Sequence, residues 1–281
     1  MASATTAADY LSITETPGTL LNREQLGRMV LRYSLAAELG TRRRVLEVSC
    51  GAGIGFGLLA SSADWFTACD YSKGGLALAQ EAASRHVPLA VADAQALPYA
   101  SASFELLVSF EAIYYLARPD IFIGESRRLL APGGQLLLGA SNPDWPYFAP
   151  GMLSAHYPSA VELAALVAAA GFAQVRLYGS LPADTAGSMA GSLRARLRQA
   201  LLRSGMFSRD NVLTRVLKRA SYGTLEALPV TLSETTRVAH PFTQLTPIAT
   251  DRVDRRHRVL FVVAESPEDA LPGTPVGTWP P

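Results

Sequence analysis

The sequence predicts an α/β protein: a seven-stranded, mainly parallel sheet flanked by helices, with a long helical insertion between the last two strands. Three observations carry that prediction. From Arg44 to Gly139 short apolar runs alternate with helix-length stretches, the pattern of repeated βαβ units. A glycine-rich turn follows the first of these runs. A long stretch, roughly Leu181 to Arg255, separates the last two runs and is too long to be a bare loop.

Taken in order, Asn22 to Leu39 carries Leu26, Met29, Val30, Tyr33 and Leu35 at helical spacing, and Gly40 stands where such a helix should stop. This helix is expected to cap the sheet. Strands follow at Arg44 to Val48, Trp65 to Cys69, Pro88 to Ala92, Phe104 to Ser109 and Gly134 to Gly139, each rich in aliphatic residues and closed by turn residues. Ala160 to Ala170 reads as a helix ended by Gly171, and Ala173 to Tyr178 and Arg258 to Val263 as the sixth and seventh strands. The first half of the insertion reads as helical, because Leu193, Leu197 and Leu201 recur every fourth residue amid Arg194, Arg196, Arg198, Arg203, Arg209, Arg215, Lys218 and Arg219. The Pro- and Gly-rich tail from Glu265 to Pro281 reads as disordered. The expected division is one domain from 1–180 plus 256–264, an insertion at 181–255 and the tail at 265–281.

A net charge of +1 gives no global field for a polyanion, and the basic insertion lacks the aromatic residues of a stacking platform, so no nucleic-acid partner is expected. The opening residues show neither the basic nor the apolar region of a secretory signal, and no apolar run spans a bilayer. A cytoplasmic address and no transmembrane segment are therefore expected. Cys50 and Cys69 lie in or beside core strands and read as small buried thiols, and no metal site is expected.

The chemistry concentrates at the ends of the strands. Glu47-Val48-Ser49-Cys50-Gly51-Ala52-Gly53 places a glycine-rich turn between a strand and a helix start, where backbone N–H groups face a ligand and Glu47 offers a carboxylate to an ammonium group. Asp70 ends the second strand about twenty residues on, where a carboxylate can accept both hydroxyl protons of a ribose. Asp93 either serves a ligand or caps the turn that follows it. Glu111 stands just past the fourth strand, on the edge where open α/β sheets bind ligands.

These segments, with Ala92-Asp93-Ala94-Gln95-Ala96-Leu97-Pro98 and Leu130-Ala131-Pro132-Gly133-Gly134, resemble the Rossmann-like class I S-adenosylmethionine-dependent methyltransferases across most of Arg44 to Phe172. The resemblance implies that Gly51 and Gly53 pack under the methionine part of the cofactor and that Asp70, with its neighbour Tyr71, takes the ribose. It also implies that Asp93 and the Ala94 backbone read the adenine, and that Ser109 and Phe110 flank the sulfonium. One departure is Ser49, which stands where the family has its first glycine. Ile13 to Gly18, the Arg23-Glu24-Gln25-Leu26 helix, Glu111 to Leu116 and His156 to Ser159 resemble bacterial methyltransferases of polysaccharide and secondary-metabolite pathways.

The expected reaction is methylation of a hydroxyl on a sugar or other small metabolite. Methyl transfer needs collinear reactants and exclusion of water, with a base for a hydroxyl acceptor. His156, in the connection after the fifth strand, and Glu111 are the candidates; Tyr114, Tyr115 and Asn142 are expected to contact the acceptor. N-methylation of a small amine, a nicotinamide-dependent oxidoreductase and a non-catalytic nucleotide-binding module are the alternatives. The basic insertion is expected to cap the pocket, to pair two subunits as a homodimer, or to meet anionic lipid or a phosphorylated carrier.

Overall fold

The computed structural model describes residues 10–83, 87–151, 153–182 and 225–268. The arginine-rich first half of the insertion, with its leucine stripe, lies outside the described residues, as do His86 and the tail beyond residue 268. The expected cap, dimer contact and carrier contact fall there too.

Strand β1 (Leu20–Asn22) leads into α1 (Arg23–Leu39), whose Asn22 side chain accepts from the Gln25 backbone N–H while Gln25 reaches back to Asn22 N in a capping box. Then come β2 (Arg44–Val48), α2 (Phe56–Ser62), β3 (Trp65–Asp70), α3 (Lys73–Ala82), β4 (Leu89–Val91) and β5 (Phe104–Phe110). After them follow α4 (Pro119–Leu129), β6 (Leu130–Ser141), α5 (Ala160–Ala169), β7 (Ala173–Pro182), β8 (Leu225–Ala227), β9 (Thr246–Ile248) and β10 (His257–Glu265). The main sheet runs β4-β3-β2-β5-β6-β10-β7-β9, with β4 through β6 parallel and β10 antiparallel to both its neighbours.

All seven expected strands are present, and the sheet has an eighth. β9 adds to the outer edge of β7 within the insertion, and its central Pro247, which lacks an N–H, fits an edge strand. β1 pairs with β8 in a separate two-stranded ribbon. Glu265 and Ser266 are ordered as well: the Ser266 backbone exchanges hydrogen bonds with Gly133 and Gly134, so β10 is held beyond the expected start of the tail.

Alternate residues of the central strands pack to opposite faces. Val45 and Leu106 join Leu35, Leu58 and Phe261 on one side, whereas Leu46 and Leu107 join Phe122, Leu163 and Val262 on the other. Burial on both faces explains why these strands read as continuous apolar runs. Residues 225–255 add no α-helix; they wrap over α1 and α2 instead. Leu232 is fully buried and donates its N–H to Ile54 O, Thr231 Oγ accepts from Gly57 N at 2.8 Å, and Val238 N donates to Ser34 Oγ. Thr231 thus satisfies a backbone N–H in the first turn of α2 from 174 residues away in sequence. The strand order reverses between β3-β2 and β5, which opens a crevice at the carboxyl ends of β2, β3 and β5.

Candidate functional site

A cavity of about 700 Å³ fills that crevice. Its floor is the turn after β2. Ser49 adopts φ +61 and the turn continues through Gly51 at φ +56 and Gly53 at φ +74. The side chain at Ser49 therefore costs about 1 to 2 kcal/mol in a left-handed conformation that glycine takes freely. Asp70 pins the turn: Oδ2 accepts from Gly51 N at 2.8 Å and Oδ1 from Ser72 N at 2.7 Å. Burial raises the Asp70 pKa, opposed by its bonds from the Ser72, Gly51 and Tyr71 N–H groups. The carboxylate lines the cavity and can still accept from a ligand hydroxyl.

Gly51, Asp70, Tyr71, Asp93, Ala94, Phe110, Glu111, Tyr114 and Tyr115 all line the cavity. Asp93 lines the cavity, and its Oδ1 accepts from Gln95 N at 2.9 Å to hold the turn after β4. Tyr71 and Tyr115 stand edge-on to Tyr10 at ring separations of 6.2 and 5.7 Å, so three phenols bridge the mouth.

Five expected residues do not line the cavity. Gly53 turns toward α2, where a Cβ would meet the Phe56 ring at 2.9 Å; its part is the turn, not ligand clearance. Ser109 alternates with Phe110 along β5 and is buried on the opposite face. Asn142 is wholly buried, donating to Asp254 O and His257 O and accepting from Asp144 N, so it ties loops together. The His156 side chain is 68% exposed and meets Glu162 at 3.3 Å. Tyr157, its neighbour, stacks on Tyr114 at 4.1 Å and leaves the imidazole facing out.

Glu47 is the fifth. It lies beneath the floor, 1% exposed, where Oε1 accepts from Tyr33 Oη at 2.8 Å and Oε2 has no partner. Burial pushes its pKa up to about 7, against the Tyr33 hydrogen bond and the Arg32 charge and with the Asp70 charge. A carboxyl raised in the folded state is costly when ionised; that cost is complete above pH 7 and is relieved as pH falls from about 7 toward the ordinary 4.5. Glu47→Gln should therefore gain stability on the parent at pH 8 and lose that gain by pH 5, a swing of about 2 kcal/mol. Urea unfolding at both pH values checks this; a gap that does not change with pH contradicts it.

Glu111 itself sits in a left-handed conformation, φ +53, held by its N–H to Gly139 O at 2.7 Å. Its Oε2 accepts from Tyr114 Oη at 2.8 Å and Ser141 Oγ at 2.9 Å, while Oε1 has no partner among the described residues. Burial, then the Glu111 charge, raises the Tyr114 pKa far above the ordinary phenol range, so Tyr114 stays a donor. One carboxylate oxygen is fixed and the other is left for a ligand.

The roof of the cavity is not legible in the sequence. Tyr10, Thr14 and Glu15 before β1, and Gln25, Arg28, Arg32 and Tyr33 on α1, close the cavity from above. The basic pair at i and i+4 reads in sequence as an ordinary solvated helix face.

Residues 46–138 match the family model described as "Methyltransferase domain". A Mycobacterium tuberculosis protein named "Probable S-adenosylmethionine-dependent methyltransferase" is 33% identical over 153 residues, covering 52% of this chain and 55% of that protein. The chain thus spans about half the length of that relative. Among solved structures, a SAM-dependent methyltransferase from Archaeoglobus fulgidus aligns with TM-score 0.53 at 13% identity over 86% of this chain and 93% of the other. The [4+2]-cyclase SpnF aligns with TM-score 0.54 at 18% identity over 92% and 90%. At such identities these structures show the fold alone.

Proposed function

Because residues 46–138 match a methyltransferase-domain model, we propose that this chain is an S-adenosylmethionine-dependent methyltransferase that methylates a hydroxyl of a small metabolite bound in this cavity. A [4+2]-cyclase shares the fold, so the fold alone carries no reaction. The observation that carries the reading is that Asp70, tied to the glycine turn, and Glu111, with one free carboxylate oxygen, face one cavity.

The residues suit the donor. Asp70 offers its carboxylate to the ribose hydroxyls, Asp93 and Ala94 line the cavity and would meet the adenine, and the acidic lining favours a cation. A volume of about 700 Å³ leaves room for an acceptor beside it. Bound there, S-adenosylmethionine supplies an electrophilic methyl on a sulfonium. Glu111 Oε1 takes the proton of the acceptor hydroxyl as its oxygen attacks, while Tyr114 and Ser141 hold the carboxylate in place. Tyr10, Tyr71 and Tyr115 keep water from the mouth. We place the reaction in the cytosol, which suits the free, buried Cys50 and Cys69.

Incubating the full chain with methyl-labelled S-adenosylmethionine and a panel of hydroxylated acids, sugars and amines tests the reading; label in an ether product is expected, and label in an ester alone would replace it with carboxylate methylation. Label in amines alone would replace it with N-methylation. Asp70→Ala should weaken binding of S-adenosylhomocysteine by about 1.5 to 3 kcal/mol, because it removes both the ligand's acceptor and the anchor of the turn. Calorimetry showing parental affinity in the folded variant would place the ribose elsewhere.

A further inference from the structure

Beyond Glu111 the cavity continues under α1, where its lining includes Gln25, Arg28, Arg32, Val259 and Ser180. Ser141, Val259 and Ser180 form one row across β6, β10 and β7. At the usual strand spacing Ser180 stands about 10 Å from the serine that fixes Glu111. Ser180 is 2% exposed and its hydroxyl has no partner among the described residues. One turn apart above this row, Arg28 and Arg32 each bury an Nε–H that likewise has no partner. Arg32 meets Glu15 at 3.3 Å, whereas Arg28 makes no ion pair among the described residues.

Buried polar groups are ordinarily satisfied, and leaving a donor bare is costly. Arg28, Arg32 and Ser180 line the same cavity, and each carries one buried hydrogen-bonding atom without a partner among the described residues, two of them on guanidinium cations. Their complement is an oxyanion. We propose that this end binds an acidic group of the methyl acceptor, a carboxylate or a phosphate, with Arg28 as the principal cation and Ser180 and Arg32 completing its hydrogen bonds. The acceptor is then a hydroxylated acid, oriented by its anionic end with its hydroxyl toward Glu111. This inference rests on the methyl-transfer reading for its acceptor and names that acceptor's class.

The test is calorimetry on the full chain saturated with S-adenosylhomocysteine, using hexanoate, hexyl phosphate and neutral hexanol as matched probes. At least one anion should bind more tightly than hexanol; the tighter of the two identifies carboxylate or phosphate. Arg28→Met should weaken that binding about tenfold or more, and Ser180→Ala by a smaller factor. Anions that bind no better than hexanol, or that bind the parent and Arg28→Met alike, overturn the proposal and leave the orphan donors to water. If S-adenosylhomocysteine itself does not bind, the donor reading fails. The same probes titrated into the free protein then still decide the anion site.

Discussion

Glu111→Gln is expected to lower the rate of methyl transfer by about a hundredfold to ten-thousandfold while leaving S-adenosylhomocysteine affinity close to the parent's. The side chain keeps its length and the left-handed backbone at residue 111 is unchanged, so the fold has no reason to respond. The amide cannot accept the hydroxyl proton, and its NH2 group conflicts with the donors Tyr114 and Ser141 if turned toward them. Turned the other way, the NH2 occupies the position that should receive the proton. Single-turnover rates with a hydroxylated acceptor, read beside cofactor affinity, check this. A parental rate would remove Glu111 from the chemistry and leave positioning by the cavity as the whole of catalysis.

The second large effect is on stability. Gly55→Ala should cost about 3 kcal/mol or more, because a Cβ there would stand 1.9 Å from Tyr33 Cε1. Tyr33 cannot retreat: it is 4% exposed, packs edge-on against Phe110 at 5.3 Å, and donates its hydroxyl to Glu47. Backbone strain is not the cause, since φ at Gly55 is −84. Moving the ring breaks the bond to Glu47 and strips a buried carboxylate of its one partner, which adds to the clash. Urea unfolding should show the loss, and the pair Gly55→Ala with Tyr33→Ala should fall well short of additive, because removing the ring removes the clash. Additive losses would mean that the two residues do not meet.

The contrast between Gly53 and Asn142 shows what could be read from sequence and what could not. The strands were legible because burial on both faces makes them unbroken apolar runs, and the glycine turn, Asp70, Asp93 and Glu111 because each stands at the end of such a run. Their spacing is local, and local spacing survives in a sequence. Asn142 occupies an equivalent position at the end of β6 but spends its side chain on Asp254 and His257, more than a hundred residues away. His156 is turned outward by the stacking of Tyr157 on Tyr114, a contact no spacing encodes. Gly53 was rightly placed in the turn, but which face a glycine shows depends on the helix packed behind it. β9 was hidden for a related reason: three residues with a central proline form a strand only because β7 offers an edge. Arg28 and Arg32 of α1 became cavity residues through the packing of that helix over the sheet.

The proposed reaction requires that the crevice above the glycine turn be a site for S-adenosylmethionine. Titrating S-adenosylhomocysteine and NADH separately into the full chain by calorimetry tests it most directly. Saturable binding of S-adenosylhomocysteine at one site per chain and no heat from NADH are expected. Saturable binding of NADH with none of S-adenosylhomocysteine would contradict it.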